Sequence, residues 1–338
     1  MSELPRAHDT STTDAASATI DRALSSRKTP VASGTSRLAR LLDSDLLYSF
    51  RQTPVVVASA IVLCLIVLAA LLAPLIAPQN PFDPAGLNLM DGKTPPLAKN
   101  QYTGNSFILG TDDQGRDVLS VILYGSRISL LVGFASVILS TLVGVGLGLM
   151  AGYRGGMIDS VIMRIADVQL TFPSLLVALM IFGIVKGFLP PQAHEQAALS
   201  VLILSIGLSA WPQYARTVRG VTMVERNKEY VQAARIIGLS PALIMWRHVL
   251  PNVIGPVLVI ATLGLALAII AEATLSFLGV GVPPTKPSLG TLIRVGQEYI
   301  ASGQWWILLY PAMTLLALSL SVNLIGDWLR DALNPKLR

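Results

Sequence analysis

The sequence predicts an all-α integral membrane protein with six transmembrane helices. Three observations carry that reading: an apolar composition, six apolar stretches of bilayer length, and a lopsided distribution of basic residues. Hydrophobic residues make up 52% of the 338 and charged residues 13%, about half the ~25% charge of an ordinary soluble domain. Mean hydropathy is +0.61. So few charges cannot coat a water-soluble surface of this size, and disorder, collagen and coiled coil are excluded by the same composition. The single cysteine, Cys64, excludes an internal disulfide and any multi-cysteine metal or iron–sulfur site. His8, His194 and His248 are far apart and leave no His-pair metal motif. The net charge of +5 fits basic cytoplasmic loops rather than nucleic acid.

Residues 1–40 are polar and rich in Ser, Thr and Ala, which predicts a disordered tail. Leu38, Leu41, Leu42, Leu46 and Leu47 then recur at helical spacing among Arg37, Arg40 and Asp43. That spacing predicts an amphipathic helix over 41–53, lying on the membrane surface; an unfolded linker is the alternative. Six apolar segments follow at 54–77, 128–152, 166–187, 197–215, 253–279 and 304–326, each near the ~20 residues a bilayer needs. The first is expected to remain as an anchor, because its polar leader and apolar run are both too long for a signal peptide.

Between the spans, 78–127 forms a long loop on one side, with a short loop near Pro190-Pro191 and a stretch over 280–303 on that same side. Residues 128–326 make the transmembrane core, including a hydrophilic loop at 216–252, and 327–338 is the carboxyl-terminal tail. With the amino terminus inside, eighteen Lys and Arg fall on the cytoplasmic side and seven outside. The bias predicts both termini cytoplasmic. Trp305 and Trp306 open the last span at its outer end, as an interfacial belt would.

The loop 216–252 is the most informative stretch. Residues 226–237 hold strong helix formers and no breaker. Gly238 is placed to stop that helix in the left-handed conformation. Ser240 and Pro241 then supply an N-cap and a first helical residue for a second short helix, expected to end before Pro251. The product is a helix, a tight turn and a helix outside the membrane. Ala233 and Ala234 are small enough to let another backbone approach. A plain helical hairpin without a partner fits the same residues.

Motifs for chemistry are scarce. Gly144-Val-Gly146-Leu-Gly148 is not a dinucleotide loop, since no strand precedes it and it lies in an apolar span; close helix packing is expected there, and again at Gly207. Gly207-Leu-Ser209-Ala-Trp lacks the second glycine of a nucleophile elbow. No H-E-x-x-H or P-loop occurs, so any ATP must bind another chain. Asp112, Asp113, Arg116 and Asp117 form a charged knot outside the membrane. Its spacing is not that of a calcium loop. The preference of Asp for helix caps points to Asp117 as a cap; a surface for a binding protein is the functional alternative. Asp167, near the inner end of the third segment, is expected at the membrane interface, paired with Arg164 at i,i+3 spacing. Glu272 sits well inside the fifth apolar segment, where an ionisable group is expensive. It is either a path-lining group or a structural one.

Glu229-x-x-x-Ala233-Ala234-x-x-x-Gly238, followed after nine residues by His248-Val-Leu250-Pro251, resembles the EAA loop of bacterial ABC importer permeases. Gln232 and His248 depart from the general pattern and are similar to the peptide-transporter branch. Leu109-Gly-Thr-Asp-Asp-Gln-Gly-Arg-Asp-Val-Leu119, Tyr124-Gly-Ser-Arg-Ile-Ser129, Gly148-Leu-Met-Ala-Gly-Tyr-Arg-Gly-Gly156, Glu272-Ala-Thr-Leu-Ser-Phe-Leu-Gly279 and Gly326-Asp-Trp-Leu-Arg-Asp-Ala-Leu-Asn-Pro335 extend the likeness. The chain is identified by these motifs, over about 45–338, as a member of the dipeptide/oligopeptide/nickel permease family, C-type.

The resemblance implies a type I ABC importer permease fold with no catalytic or metal residues of its own. It implies a coupling loop carried by Glu229, Ala233, Ala234, Gly238, His248, Leu250 and Pro251. Asp113, Arg116, Asp117 and Glu272 are the candidate external or path residues. No cofactor is expected on this chain; ATP and Mg belong to partner ATPase subunits. The implied partners are a homologous permease subunit in a heterodimer, two ATPase subunits, an extracytoplasmic substrate-binding protein and membrane lipid, with no nucleic acid. The implied location is the bacterial inner membrane and the implied cargo di- or oligopeptides. Nickel or another small solute is the alternative cargo. A secondary transporter or channel is the rival class, expected to show ion-coupling residues and an internal repeat; an intramembrane enzyme would need a paired nucleophile and base.

Overall fold

The computed structural model describes residues 45–83 and 86–332, so the tail expected at 1–40 and the end of the carboxyl-terminal tail lie outside the described residues. The chain divides into Met1–Ser49 and Phe50–Arg338. Helix α1 spans Asp45–Gln52.

Helix α2 (Pro54–Leu71) starts on a proline, where the missing N–H is harmless, and is an almost unbroken run of Val, Leu, Ile and Ala. Leu65, Leu68 and Leu71 remain exposed on it, as lipid-facing residues do. Helix α3 (Val118–Arg154) is 37 residues long, about 55 Å at 1.5 Å per residue. It starts ten residues before the expected 128. The polar run around Ser126 and Arg127 hid its outer turns from an apolar window, although Asp117 caps it, accepting from the Ser120 N–H at 2.8 Å.

The third apolar segment is not a single straight helix. It is α4 (Gly156–Leu170) and α5 (Ser174–Phe188), bent by 101° at the break between them. Pro173 explains the break: it has no N–H to donate and it drives Phe172 out of the α region. Helix α6 (His194–Glu225) continues ten residues past its expected end at 215.

Helix α7 (Glu229–Ile236) and the one-turn α8 (Pro241–Ile244) follow. The second short helix was expected to stop before Pro251. Instead a π-helical turn (Met245–Val249) leads without a break into α9 (Leu250–Phe277). The changed register puts Pro251 in the first turn of α9, where no backbone donor is required. Outside, α10 (Leu289–Tyr299), capped by Ser288, lies in the stretch expected as a loop. Helix α11 (Trp306–Ala332) closes the bundle.

Helices α3 and α6 form the most extensive pair, and small residues explain it. The Ser136 hydroxyl donates to the Ile203 carbonyl at 3.4 Å, and Ser140 to Gly207 at 2.8 Å. A Cβ on Gly144 would come 2.8 Å from the Trp211 carbonyl oxygen, one on Gly148 2.6 Å from Ala215, and one on Gly152 2.8 Å from Arg219. Gly146, between them, faces open space. The expected packing role holds for Gly144 and Gly148, not for Gly146. At the outer end, Trp306 is buried and its indole N–H donates to the Thr111 carbonyl at 3.1 Å. It anchors the outer loop instead of sitting in an interfacial belt; Trp305 stays exposed.

Candidate functional site

The elbow between α6 and α9 is built from its turn outward. Glu229 opens α7 and Arg235 closes it, each charge complementing the helix dipole at its own end. Gly238 has φ +84, a left-handed conformation that costs a residue with a Cβ about 1 kcal/mol or more. The Gly238 N–H donates to the Arg235 carbonyl at 3.0 Å and the Leu239 N–H to Ala234 at 3.1 Å. This paired closure of the last carbonyls is a Schellman turn. The Ser240 hydroxyl then accepts from Leu243 N–H at 3.4 Å, capping α8.

The elbow is welded to the spans. Val231, Ala234, Ile244, Met245 and Val249 share one apolar core with Leu149 and Tyr153 of α3, Val218 of α6, and Val253 and Val257 of α9. The two alanines separate here: Ala234 is only 3% exposed against its own chain, whereas Ala233 faces outward. Ala234 therefore offers no surface for another backbone. Glu229, Gly238 and Pro251 are exposed, Leu250 packs against the elbow core, and His248 is half-buried. Its Nδ1 meets no partner among the described residues.

A polar web ties the same parts. Glu225 pairs with Lys228 at 2.7 Å and accepts from the Tyr230 hydroxyl. Asn252 of α9 donates to Tyr230 at 3.0 Å. Burial and the Glu225 carboxylate push the Tyr230 hydroxyl up to about 12, so at neutral pH it stays protonated and keeps donating. Arg226 donates to the Gly152 carbonyl at 2.8 Å, at the inner end of α3.

The remaining candidates lie apart from the elbow. Arg116 and Asp112 form an ion pair at 2.6 Å with both side chains buried. Arg116 also donates to the Pro284 carbonyl at 3.1 Å, bracing the outer loop against the segment before α10. Burial pushes the Asp112 carboxyl up, opposed by Arg116. Asp117 is buried as a cap, and Asp113 is half-buried with one oxygen, Oδ1, unpartnered among the described residues. Arg116 and Asp117 thus brace the loop and do not form its surface. Glu272 is fully buried and accepts from Ser129 of α3 and from Ser276, each at 2.7 Å. Asp167 pairs with Arg216 of α6 at 2.6 Å; the expected partner, Arg164, is not used.

Residues 144–338 match the family described as binding-protein-dependent transport system inner membrane component, and residues 44–96 match the N-terminal transmembrane domain of oligopeptide transport permease C. The chain belongs to the binding-protein-dependent transport permeases. Among relatives of this permease is a dipeptide transport system permease protein DppC of Haemophilus influenzae, 38% identical over 293 residues, 86% of this chain and 94% of that one. A di/tripeptide transport system permease protein DppC of Pseudomonas aeruginosa is 39% identical over 86% of this chain and 91% of its own. An oligopeptide transport system permease protein OppC of Bacillus subtilis is 34% identical over 90% and 92%. The permease is a multi-pass inner-membrane component with an α-helical bundle.

Sequence reasoning missed two residues of this permease's elbow. Ile236 is 87% exposed and Ile237 77% exposed, side by side at the tip. The signal was present: two consecutive isoleucines just before the Gly238 turn, one position beyond the buried face set by Val231 and Ala234.

Proposed function

We propose that this chain is the membrane-spanning subunit of an ATP-driven importer of di- or oligopeptides, coupled to its ATPase through the elbow. One observation carries the proposal. The elbow shares a single apolar core with the inner ends of α3, α6 and α9, while Ile236, Ile237 and Ala233 point away from the chain. An exposed apolar tip on a hydrophilic segment fits an apolar groove of a partner. A push on that tip moves three spans together, because a packed core transmits displacement as a rigid body.

The partners in this reading are a homologous permease subunit, two ATPase subunits and an extracytoplasmic substrate-binding protein. The path runs between the two permeases. Closure of the ATPases on ATP swings the elbows and exchanges inward-open for outward-open. ATP and Mg stay with the ATPase chains, and this chain binds no cofactor. Both termini and the elbow are cytoplasmic, supported by the eighteen-to-seven bias of Lys and Arg. The names of the relatives support peptides as cargo.

The test is purification of the complex from native membrane. An Ile236→Cys variant is expected to cross-link to an ATPase subunit, and mass spectrometry of the bound ligand is expected to find short peptides. Absence of any ATPase from the cross-linked material rejects the coupling role.

A further inference from the structure

We infer that the groove between the last half of α3 and the start of α9 is a binding site for an anionic phospholipid, with an acyl chain along the groove and the phosphate at Arg154. The inference goes beyond the transport reading and rests only on the chain's place in the membrane.

The groove lies on the face of α3 that the glycine seam leaves free. Gly144, Gly148 and Gly152 turn toward α6, where a Cβ would strike its residues. Gly146 points elsewhere, and among the described residues nothing lies within 4 Å of a Cβ built there. A glycine inside a helix costs about 1 kcal/mol against Ala, and no close neighbour requires this one. Its missing side chain leaves room instead. Gly146 lines two adjoining hollows, of about 360 and 220 Å³, and so does Trp246 of the π-helical turn. The first is walled by Leu142 of α3 and by Leu250, Ile254 and Leu258 of α9. The second runs past Leu149 and Met150 to Arg154, the last residue of α3.

Charge places the groove in the bilayer. From Ile128 to Tyr153 α3 carries no charge, and neither does the chain from Val249 to Ala271. The first charges past these stretches are Arg154 on α3 and, beyond His248, Arg247 in the π-helical turn. Arg154 lines the same hollow as Trp246, the neighbour of Arg247. Both helices therefore change from apolar to basic at one level, where the groove ends. Trp and basic residues collect at such a boundary. Thr141, at the other end of the groove, is thirteen residues from Arg154, about 20 Å along a helix. One leaflet of a ~30 Å hydrocarbon core is ~15 Å deep, so the groove is long enough for an acyl chain.

The groove's end selects the headgroup. Arg154 and Arg247 are exposed, and neither makes an ion pair or hydrogen bond among the described residues. No acidic side chain among those residues lines either hollow. A basic pocket between transmembrane helices holds anionic headgroups, and a guanidinium meets phosphate with paired N–H donors. The exposed apolar residues of α2, Leu65 and Leu68, have no such cation among them. The site also touches the elbow. Met245, beside Trp246, lies in the elbow core with Val249. A lipid that bridges α3 and this turn braces the joint between the elbow and α9.

The experiment uses the full chain, with the subunits that co-purify with it, in vesicles of phosphatidylethanolamine and phosphatidylglycerol. Each lipid in turn carries a photoactivatable diazirine on its acyl chain, and labelled peptides are mapped by mass spectrometry. We expect the phosphatidylglycerol probe to label the peptides around Leu142 and Ile254 about fivefold or more above the phosphatidylethanolamine probe, the factor that one basic contact with an anionic lipid supplies. The two probes should label α2 around Leu65 and Leu68 alike. Arg154→Gln should abolish the preference in the groove, and Arg154→Lys should keep it. Gly146→Leu, which fills the floor shared by the two hollows, should lower groove labelling and leave α2 unchanged. Equal labelling of the groove by both probes, a preference that survives Arg154→Gln, or a groove that stays unlabelled while α2 is labelled overturns the inference.

Discussion

The guanidinium of Arg235 lies 4.9 Å from the centroid of the Tyr153 ring, and its Nε donates to the Tyr153 hydroxyl at 3.2 Å. One residue stands in the last turn of the elbow helix and the other in the last turn of α3. Together with the shared apolar core, this contact makes the elbow an extension of the bundle. An Arg–aromatic contact of this kind contributes about 0.5–1 kcal/mol when exposed.

Substitutions on the elbow should separate by face. Gly238→Val places a β-branched residue at φ +84, which it resists by about 1 kcal/mol or more. Normal membrane abundance with lost transport is expected. Ala233→Trp should keep the fold and lose ATPase co-purification. Ala234→Trp should act inside the chain, forcing its ring into a filled core at a cost of about 1–3 kcal/mol, and make the elbow sensitive to protease. Wild-type uptake in both Gly238→Val and Ala233→Trp would remove the elbow from the coupling role.

Arg116→Ala leaves the Asp112 carboxylate buried without its partner, a change of about 3–5 kcal/mol for a broken buried pair. The outer loop should become protease-sensitive and uptake should fall, while insertion of the spans is kept. Asp113→Lys, at a half-buried position, should be milder. Limited proteolysis from the outer side checks the order; equal resistance in both variants rejects the bracing role of Arg116.

Glu272→Gln keeps one carbonyl acceptor for Ser129 or Ser276 and turns an NH2 donor to the other hydroxyl, and is expected to retain abundance and most of the transport. Glu272→Leu strips both hydroxyls of their partner, at about 1–3 kcal/mol for each buried group left unsatisfied, and should lower abundance in thermal-shift measurements. Uptake abolished in Glu272→Gln at full abundance would mean that the carboxylate itself acts in the path.

The glycine seam gives an internal control. Gly148→Leu drives a side chain into the Ala215 carbonyl, 2.6 Å from its Cβ, and should destabilise the bundle by about 1–3 kcal/mol or more. Gly146→Leu, two residues away with nothing within 4 Å of its Cβ, should be nearly silent. The melting temperatures of the two purified variants decide this.

Labelling fixes the orientation. Tyr102, 81% exposed in the outer loop, should react as Tyr102→Cys in intact cells. Ile237→Cys should require permeabilised cells. Asn100 is a poorer target in the same loop, since its amide donates to Met90 and Thr94 at 2.8 Å each. External reaction of Ile237→Cys overturns the proposed topology.

The sequence by itself determined the helical membrane class, the family and the turn at Gly238 with the caps at Ser240 and Asp117. Apolar length, Gly238, Ser240, Pro241 and Asp117 act through local chemistry, and each is found in its expected local role. Only tertiary structure decided which side chains share an environment. Asp167 chose Arg216 over Arg164, because helix crossing brings α6 within reach. Ala234 turned inward and Ala233 outward, because the elbow lies on three spans at once. Glu272 is sealed inside the bundle, because Ser129 from another helix meets it. The bend after Leu170 and the run through Pro251 depend on how a proline is accommodated by its neighbours. These outcomes are pairings between residues far apart in the chain, and periodicity carries no information about which distant face a residue will meet.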